Sequence, residues 1–165
     1  MIGFLRVATM AAGMALVWLV VASQVPSHAR LPLSGVVVGA VVSQPFGCTS
    51  LELEPYDRFC PGMHVHTGID LAAPVGTPVH SATAGVAHAG SDPGGAGRYV
   101  LVTVDPHTRV FYCHLFEFGV LDGQRVSPGQ VIGAVGATGM ATGPHLHLEV
   151  QVDGRAIDPA AWLSS

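Results

Sequence analysis

The chain has 165 residues, 49% of them hydrophobic and 11% charged, with seven Lys and Arg against eleven Asp and Glu for a formal net charge of −4. So few cations cannot build a basic stripe that neutralises a run of phosphates, and no nucleic-acid partner is expected. With 21 Gly and 12 Pro between short Val-rich runs, the backbone reads as strands broken by turns, in one all-β domain of roughly 120 to 135 residues.

Met1 to Arg6 carries one positive charge and Val7 to Ala22 is an unbroken apolar or small-residue run. Ser27, His28 and Ala29 then put small side chains where a signal peptidase reads. The run is about 16 residues, short of the ~20 that cross a bilayer comfortably. A cleaved signal is therefore expected ahead of an uncleaved anchor, and both place the domain outside the cytoplasm. Thiols oxidise there, so Cys48 and Cys60 are candidates for a disulfide closing a short loop, free thiols being the alternative. Their spacing is not the close C-x-x-C of zinc sites.

After a linker from Arg30 to about Leu33, Val36 to Val42 is a short apolar run that Gln44-Pro45-Phe46-Gly47 ends. Further strands are expected at Gly68 to Leu71, Pro78 to Ser81, Gly85 to Ala89, Tyr99 to Val104, Arg109 to His114, Gln130 to Val135 and His145 to Val152. Between them, Gly90 to Gly97 is the longest loop candidate, expected at the rim of a groove. The stretch Val75-Gly76-Thr77-Pro78-Val79 resembles Val126-Ser127-Pro128-Gly129-Gln130-Val131, a short likeness that suggests internal duplication.

Nine histidines are many for this length, and neutral imidazole is the commonest metal ligand. His66 and Asp70 are separated by a Gly that lets the chain turn, so the two could converge on one ion. On a strand, His145, His147 and Glu149 share one face while Leu146, Leu148 and Val150 pack on the other. In Val110 to Leu115, alternation puts Phe111, Cys113 and Leu115 on one face and Val110, Tyr112 and His114 on the other; Cys113 reads as a buried, inert thiol. Three protein ligands would leave a fourth tetrahedral position of a zinc ion open, which is the catalytic arrangement. Two further imidazoles could then move protons and stabilise an oxyanion. His80, His88 and His107 read as surface or hydrogen-bonded residues, and His64 as an exposed neighbour of His66. Glu149 is either an acceptor that orients a ligand imidazole or a polar residue at a sheet edge.

His66-x-x-x-Asp70, Tyr112-x-His114-Leu115 and Gly143-Pro144-His145-x-His147-x-Glu149, in this order, resemble the lysostaphin-type metallopeptidases, which include staphylolytic endopeptidases and LytM-like autolysins. The likeness runs from about Gln44 to Trp162. It implies zinc, one ion per chain, on His66, Asp70 and His147, with His114 and His145 as the catalytic histidines. The implied fold is an antiparallel, sandwich-like β domain with a metal-bearing groove, the lysostaphin-type or duplicated hybrid motif fold. Residues 1–29 are then expected to be a signal peptide or N-terminal membrane anchor, 30–43 a linker and first strand, and 44–165 the zinc metallopeptidase domain. The activity implied is hydrolysis of peptide bonds in bacterial cell-wall peptidoglycan, by a monomer that is secreted or held in the cell envelope. A non-enzymatic activator of other wall hydrolases is the alternative. That reading would lead one to expect a lost ligand, and all five positions are occupied.

Overall fold

The structure is a computed structural model and describes residues 29–165. The expected signal or anchor lies outside the described residues, apart from its last position. Among the described residues no helix is long and apolar enough to cross a membrane.

In chain order the elements are α1 (Leu33–Val36), β1 (Val41–Gln44), β2 (Gly47–Thr49), β3 (His64–His66), β4 (Ile69–Ala72), β5 (Pro78–His80), β6 (Gly85–Asp92) and β7 (Gly97–Thr103). They continue as β8 (Thr108–Cys113), β9 (Glu117–Phe118), β10 (Gln124–Val126), β11 (Val131–Ala134), β12 (His145–Val152), β13 (Arg155–Ile157) and α2 (Pro159–Leu163). The main sheet has eight strands, β1-β4-β12-β8-β7-β6-β10 with β13 added on β12, and a second sheet is β5-β11-β9. Every pairing is antiparallel, so the chain is nearly all β, as its turn-punctuated apolar runs imply.

Strand β12 shows why the sheet forms as it does. Leu146, Leu148 and Val150 are fully buried, and they meet Val110 and Tyr112 of β8, Val100 and Val102 of β7 and the second sheet's Val79 and Ile132 in one core. Each such side chain contributes about 1.5–3 kcal/mol by leaving water. Period-2 alternation then turns His145, His147 and Glu149 to the other face, into the groove.

The two similar turn sequences occupy matching places. β5 and β11 pair with each other, Val79 opposite Gly133. Gly76 and Gly129 both have positive φ, at 87° and 80°. Gly76 N donates to Val135 O and Gly129 N to Ser81 O, both at 2.8 Å, so each turn is tied to the opposite strand.

Three expectations need correction. Val36 to Val42 is not one strand: it is the end of α1, a turn with Gly39 at positive φ, and the start of β1. Gly90 to Gly97 is not a long loop, because β6 runs on to Asp92 and β7 begins at Gly97, leaving a tight hairpin tip between them. The longest connection is instead the one between β2 and β3, closed by the Cys48–Cys60 disulfide that the compartment argument anticipates. The third concerns His114 and belongs with the site.

The segment before α1 is docked. Leu31 N donates to Ala82 O at 2.7 Å, and the Arg30 guanidinium lies 4.0 Å over the Trp162 ring while donating to Trp162 O at 2.6 Å. Trp162 is on α2, whose N-cap Asp158 accepts from Ala160 N and whose first residue is Pro159.

Candidate metal centre and groove

Three adjacent strands carry the centre. Asp70 on β4 faces His147 on β12, and His147 faces Cys113 on β8. His66 ends β3, four residues before Asp70, and is fully buried. The result is a compact triangle: His66 Nε2 to His147 Nδ1 is 3.0 Å, His147 Nδ1 to Asp70 Oδ1 is 3.0 Å, and His66 Nε2 to Asp70 Oδ1 is 3.2 Å. These are the three residues expected to hold an ion, and among the described residues they form a group able to hold one.

The donor set fits zinc. Ligands ~2.0–2.2 Å from a tetrahedral ion stand ~3.3–3.5 Å from one another, within a few tenths of an ångström of the separations here. The tautomers also fit. A carbonyl can only accept, so His66 Nδ1 donates to Pro45 O at 2.9 Å and leaves the Nε2 lone pair facing the triangle. His147 is turned the other way, presenting Nδ1 to the triangle and directing Nε2 at Glu149 Oε2, 3.6 Å off. Glu149 is in turn held by Thr67, whose Oγ1 donates to Oε2 at 2.6 Å, and by Gln151, whose Nε2 donates to Oε1 at 2.5 Å. Of the two readings of Glu149, the ligand-orienting one matches this geometry.

Gly68 has a packing reason beyond the turn. A Cβ there would lie 2.5 Å from Leu148 O and 2.7 Å from the His147 ring. Only a residue without a side chain lets β4 enter so close to β12.

Electrostatics in the triangle follow from a buried carboxylate between imidazoles. Burial works against the charged form of Asp70, but hydrogen bonds from His147 and His66 outweigh it and hold the carboxyl far below the usual range. Burial likewise opposes the His147 imidazolium, while Asp70 and then Glu149 push its pKa up to about 9. His66 is raised too, since Asp70 and the Pro45 carbonyl outweigh its burial. The site therefore favours positive charge among its nitrogens.

His114 and His145 stand side by side across from the triangle, with ring centroids 4.7 Å apart. His114 Nδ1 donates to Thr138 O and His145 Nδ1 to Gly143 O, both at 2.8 Å, so each ring carries its lone pair on Nε2. His145 Nε2 lies 3.7 Å from Asp70 Oδ2. Burial lowers the pKa of His114, more than the Thr138 carbonyl raises it. His114 has φ +62°, outside the strand region, and this breaks the alternation expected along Val110 to Leu115. His114 joins Phe111 and Cys113 in lining the groove, whereas Leu115 goes to the core with Val110 and Tyr112. Cys113 is a free, buried cysteine, its thiol pushed up to about 12 by burial and then by Glu149 and Asp70.

Asp70, His114, His145 and His147 open on one groove of about 370 Å³, and His66 lies fully buried behind it. Gln44, Leu51, Leu53, Glu54 and Pro55 line one wall; Gly95, Ala96, Met140 and Thr142 also line it. The hairpin tip expected at the rim thus supplies Gly95 and Ala96. Local pattern alone did not assign a role to Glu54, Gln44, Thr67, Gln151 or the three carbonyls that fix the tautomers. A period-2 count from His147 through Glu149 could have found Gln151, but nothing local marks the carbonyls of Pro45 and Thr138. Three further described histidines are elsewhere: His80 Nδ1 is 3.4 Å from Val36 O, and His88 and His107 pair with Asp122 and Asp153. His64 is half-buried rather than exposed, because its Nδ1 donates to Glu54 O at 2.7 Å.

The sequence pattern of peptidase family M23 matches residues 64–159. The DD-carboxypeptidase/endopeptidase Mpg of Neisseria meningitidis is 39% identical over 123 residues, 73% of this chain and 26% of Mpg. The peptidoglycan DD-endopeptidase ShyA of Vibrio cholerae is 43% identical over 93 residues, 56% of this chain and 22% of ShyA. This chain thus spans about a quarter of the length of these relatives. The catalytic domain of lysostaphin from Staphylococcus simulans superposes with a TM-score of 0.63 at 32% identity, covering 76% of this chain and 93% of that domain. From its sequence pattern, its antiparallel sheets and the convergence of its histidines, the chain belongs to peptidase family M23.

Proposed function

We propose that this protein is a zinc-dependent endopeptidase that hydrolyses peptide bonds in bacterial peptidoglycan, working outside the cytoplasmic membrane. The observation that carries the reading is the meeting, in one groove, of a three-donor triangle and two imidazoles whose Nε2 atoms carry free lone pairs. Names of relatives such as ShyA and Mpg support the substrate class. In this reading His66, Asp70 and His147 hold the zinc, and His114 and His145 are catalytic. The domain follows residue 43, after a signal or anchor in residues 1–29.

A zinc ion held there supplies Lewis acidity. The chain's own residues supply the rest. His66 Nε2, Asp70 Oδ1 and His147 Nδ1 already face inward, so loading would displace protons from the imidazoles rather than rearrange the side chains. The lowered pKa of His114 keeps that ring neutral near pH 7, able to accept a proton at Nε2 from an attacking water. His145 Nε2, on the neighbouring ring, can donate to the developing oxyanion once protonated, or return a proton to the departing amine. Leu51, Leu53 and Met140 line the groove and exclude bulk water from a bound peptide.

The test is mass spectrometry of fragments released from purified peptidoglycan by the protein, with zinc and with a chelator. New amino termini that appear only with zinc establish the activity and identify the bond. Sacculi left intact across several wall types, by protein that is folded and zinc-loaded, would favour a non-enzymatic activator.

A further inference from the structure

Glu54 reaches the groove but belongs to neither histidine group. Its Oε1 is 3.9 Å from His66 Nε2, too long for a hydrogen bond, and the compact ligand group does not include it. Gln44 Nε2 donates to that same oxygen at 3.2 Å, the one side-chain donor to this carboxylate among the described residues. Glu149 differs, since Thr67 and Gln151 take up both of its oxygens. Glu54 therefore has an oxygen to spare.

The position is firmly fixed. His64 Nδ1 donates to Glu54 O at 2.7 Å, Val65 N donates to Pro55 O at 2.9 Å, and the Cys48–Cys60 disulfide closes the segment around them. The side chain is only 17% exposed. Leu51, Leu53 and Pro55 line the groove beside it, and no Lys or Arg is among the lining residues. The nearby imidazoles of His66 and His147 are already engaged by Asp70, so no cation is free to pair with Glu54, and a free surface Glu would turn to water. One pinned in a groove is complementary to a cation that arrives with the ligand.

We propose that Glu54 is a specificity-determining residue that accepts a charge-assisted hydrogen bond from a protonated primary amine on the peptide bound in the groove. This rests on the peptidase reading and narrows its substrate class to amine-bearing peptides. Such an amine has two sources in a wall peptide, the side chain of a diamino acid or a free α-amino terminus. His64, Gln44 and the disulfide act through Glu54 as positioning groups.

The experiment compares the zinc-loaded protein with its Glu54→Gln variant on synthetic cross-linked stem peptides in three forms: both amines free, the side-chain amine acetylated, or the α-amine acetylated. Cleavage gives KM and kcat, and competition with a chromophoric chelator gives zinc affinity. For the wild type, one acetylation is expected to raise KM about tenfold to a hundredfold with kcat little changed, and which one does so identifies the source. Glu54→Gln should show the raised KM on the free-amine peptide, indifference to acetylation, and zinc affinity within about twofold of wild type. Equal KM for free and acetylated peptides in the wild type overturns the proposal. So does a loss of zinc affinity in Glu54→Gln, which would put Glu54 among the metal ligands. If zinc-loaded protein cleaves none of the peptides, the peptidase reading fails, and calorimetry with the same peptides then decides Glu54 alone: amine-dependent binding lost in Glu54→Gln sustains it, and absence of binding overturns it.

Discussion

Asp70 and His147 are direct partners across β4 and β12, and their side chains meet with Asp70 Oδ1 3.0 Å from His147 Nδ1. The backbone register makes this contact. A slip of one residue would bring Leu148 into the groove and send His147 to the core. The twenty buried side chains that forbid the slip therefore also maintain the triangle.

Replacing His66, Asp70 or His147 with Ala is expected to leave the purified protein with well under one zinc per chain. His114→Ala and His145→Ala should keep full zinc and lose turnover by about 10²–10⁴-fold. Elemental analysis and kcat on the same samples check both halves. Full zinc and activity in His147→Ala would break the assignment.

Gly68→Ala adds a methyl where Leu148 O is 2.5 Å and the His147 ring 2.7 Å away. Backbone on one side and the packed His147 ring on the other leave no soft neighbour to give way. Zinc affinity should fall about 10- to 100-fold, as for other changes that misplace a ligand, and a chelator competition measures it. Wild-type affinity would mean that the strands separate without moving the ring.

The disulfide closes a loop with a sequence separation of 12, and cross-links of this size stabilise by about 2–4 kcal/mol. Reduction, or Cys48→Ser, is expected to lower Tm by roughly 5–20 °C. Cys60 is buried while Cys48 is exposed, so a reductant can reach the bond from the Cys48 side. An unchanged Tm after verified reduction counts against a stabilising role.

The His107 imidazole is 2.6 Å from Asp153 Oδ1, and that carboxylate's hydrogen bond and charge raise the His107 pKa. A raised folded pKa adds stability that is fully present below the ordinary histidine value of 6.5, and that fades as pH climbs through the raised value. The pair is fully solvated, so the effect on stability is small. NMR titration should place the His107 midpoint above 6.5 in the wild type and return it toward 6.5 in Asp153→Asn. A midpoint unmoved by Asp153→Asn would mean that the pair does not form in solution.

Much of the site is legible in local chemistry. His145, His147 and Glu149 can be assigned to one face from the 2-residue period of a strand, because that period is set by the backbone alone. His66 and Asp70 are legible as a pair through their spacing and the glycine between them. The same logic misplaced His114, since positive φ at one residue reverses every assignment after it, and the reason for that φ lies in Thr138 and Ala96, far along the chain. His64 looked like a spare surface imidazole, and its partner is a carbonyl on a loop shaped by a disulfide.

By itself the sequence determined the nearly all-β class and singled out five histidine and aspartate side chains as candidates, because both rest on residue type and local motif. The tertiary structure alone decided which nitrogen of each ring faces inward, why Gly68 has no side chain, and that Glu54 hangs over the groove. His66, His147 and Glu149 are oriented by atoms 21 to 82 positions away in the chain, and contacts at such separations are fixed by sheet register and core packing, which no local pattern encodes.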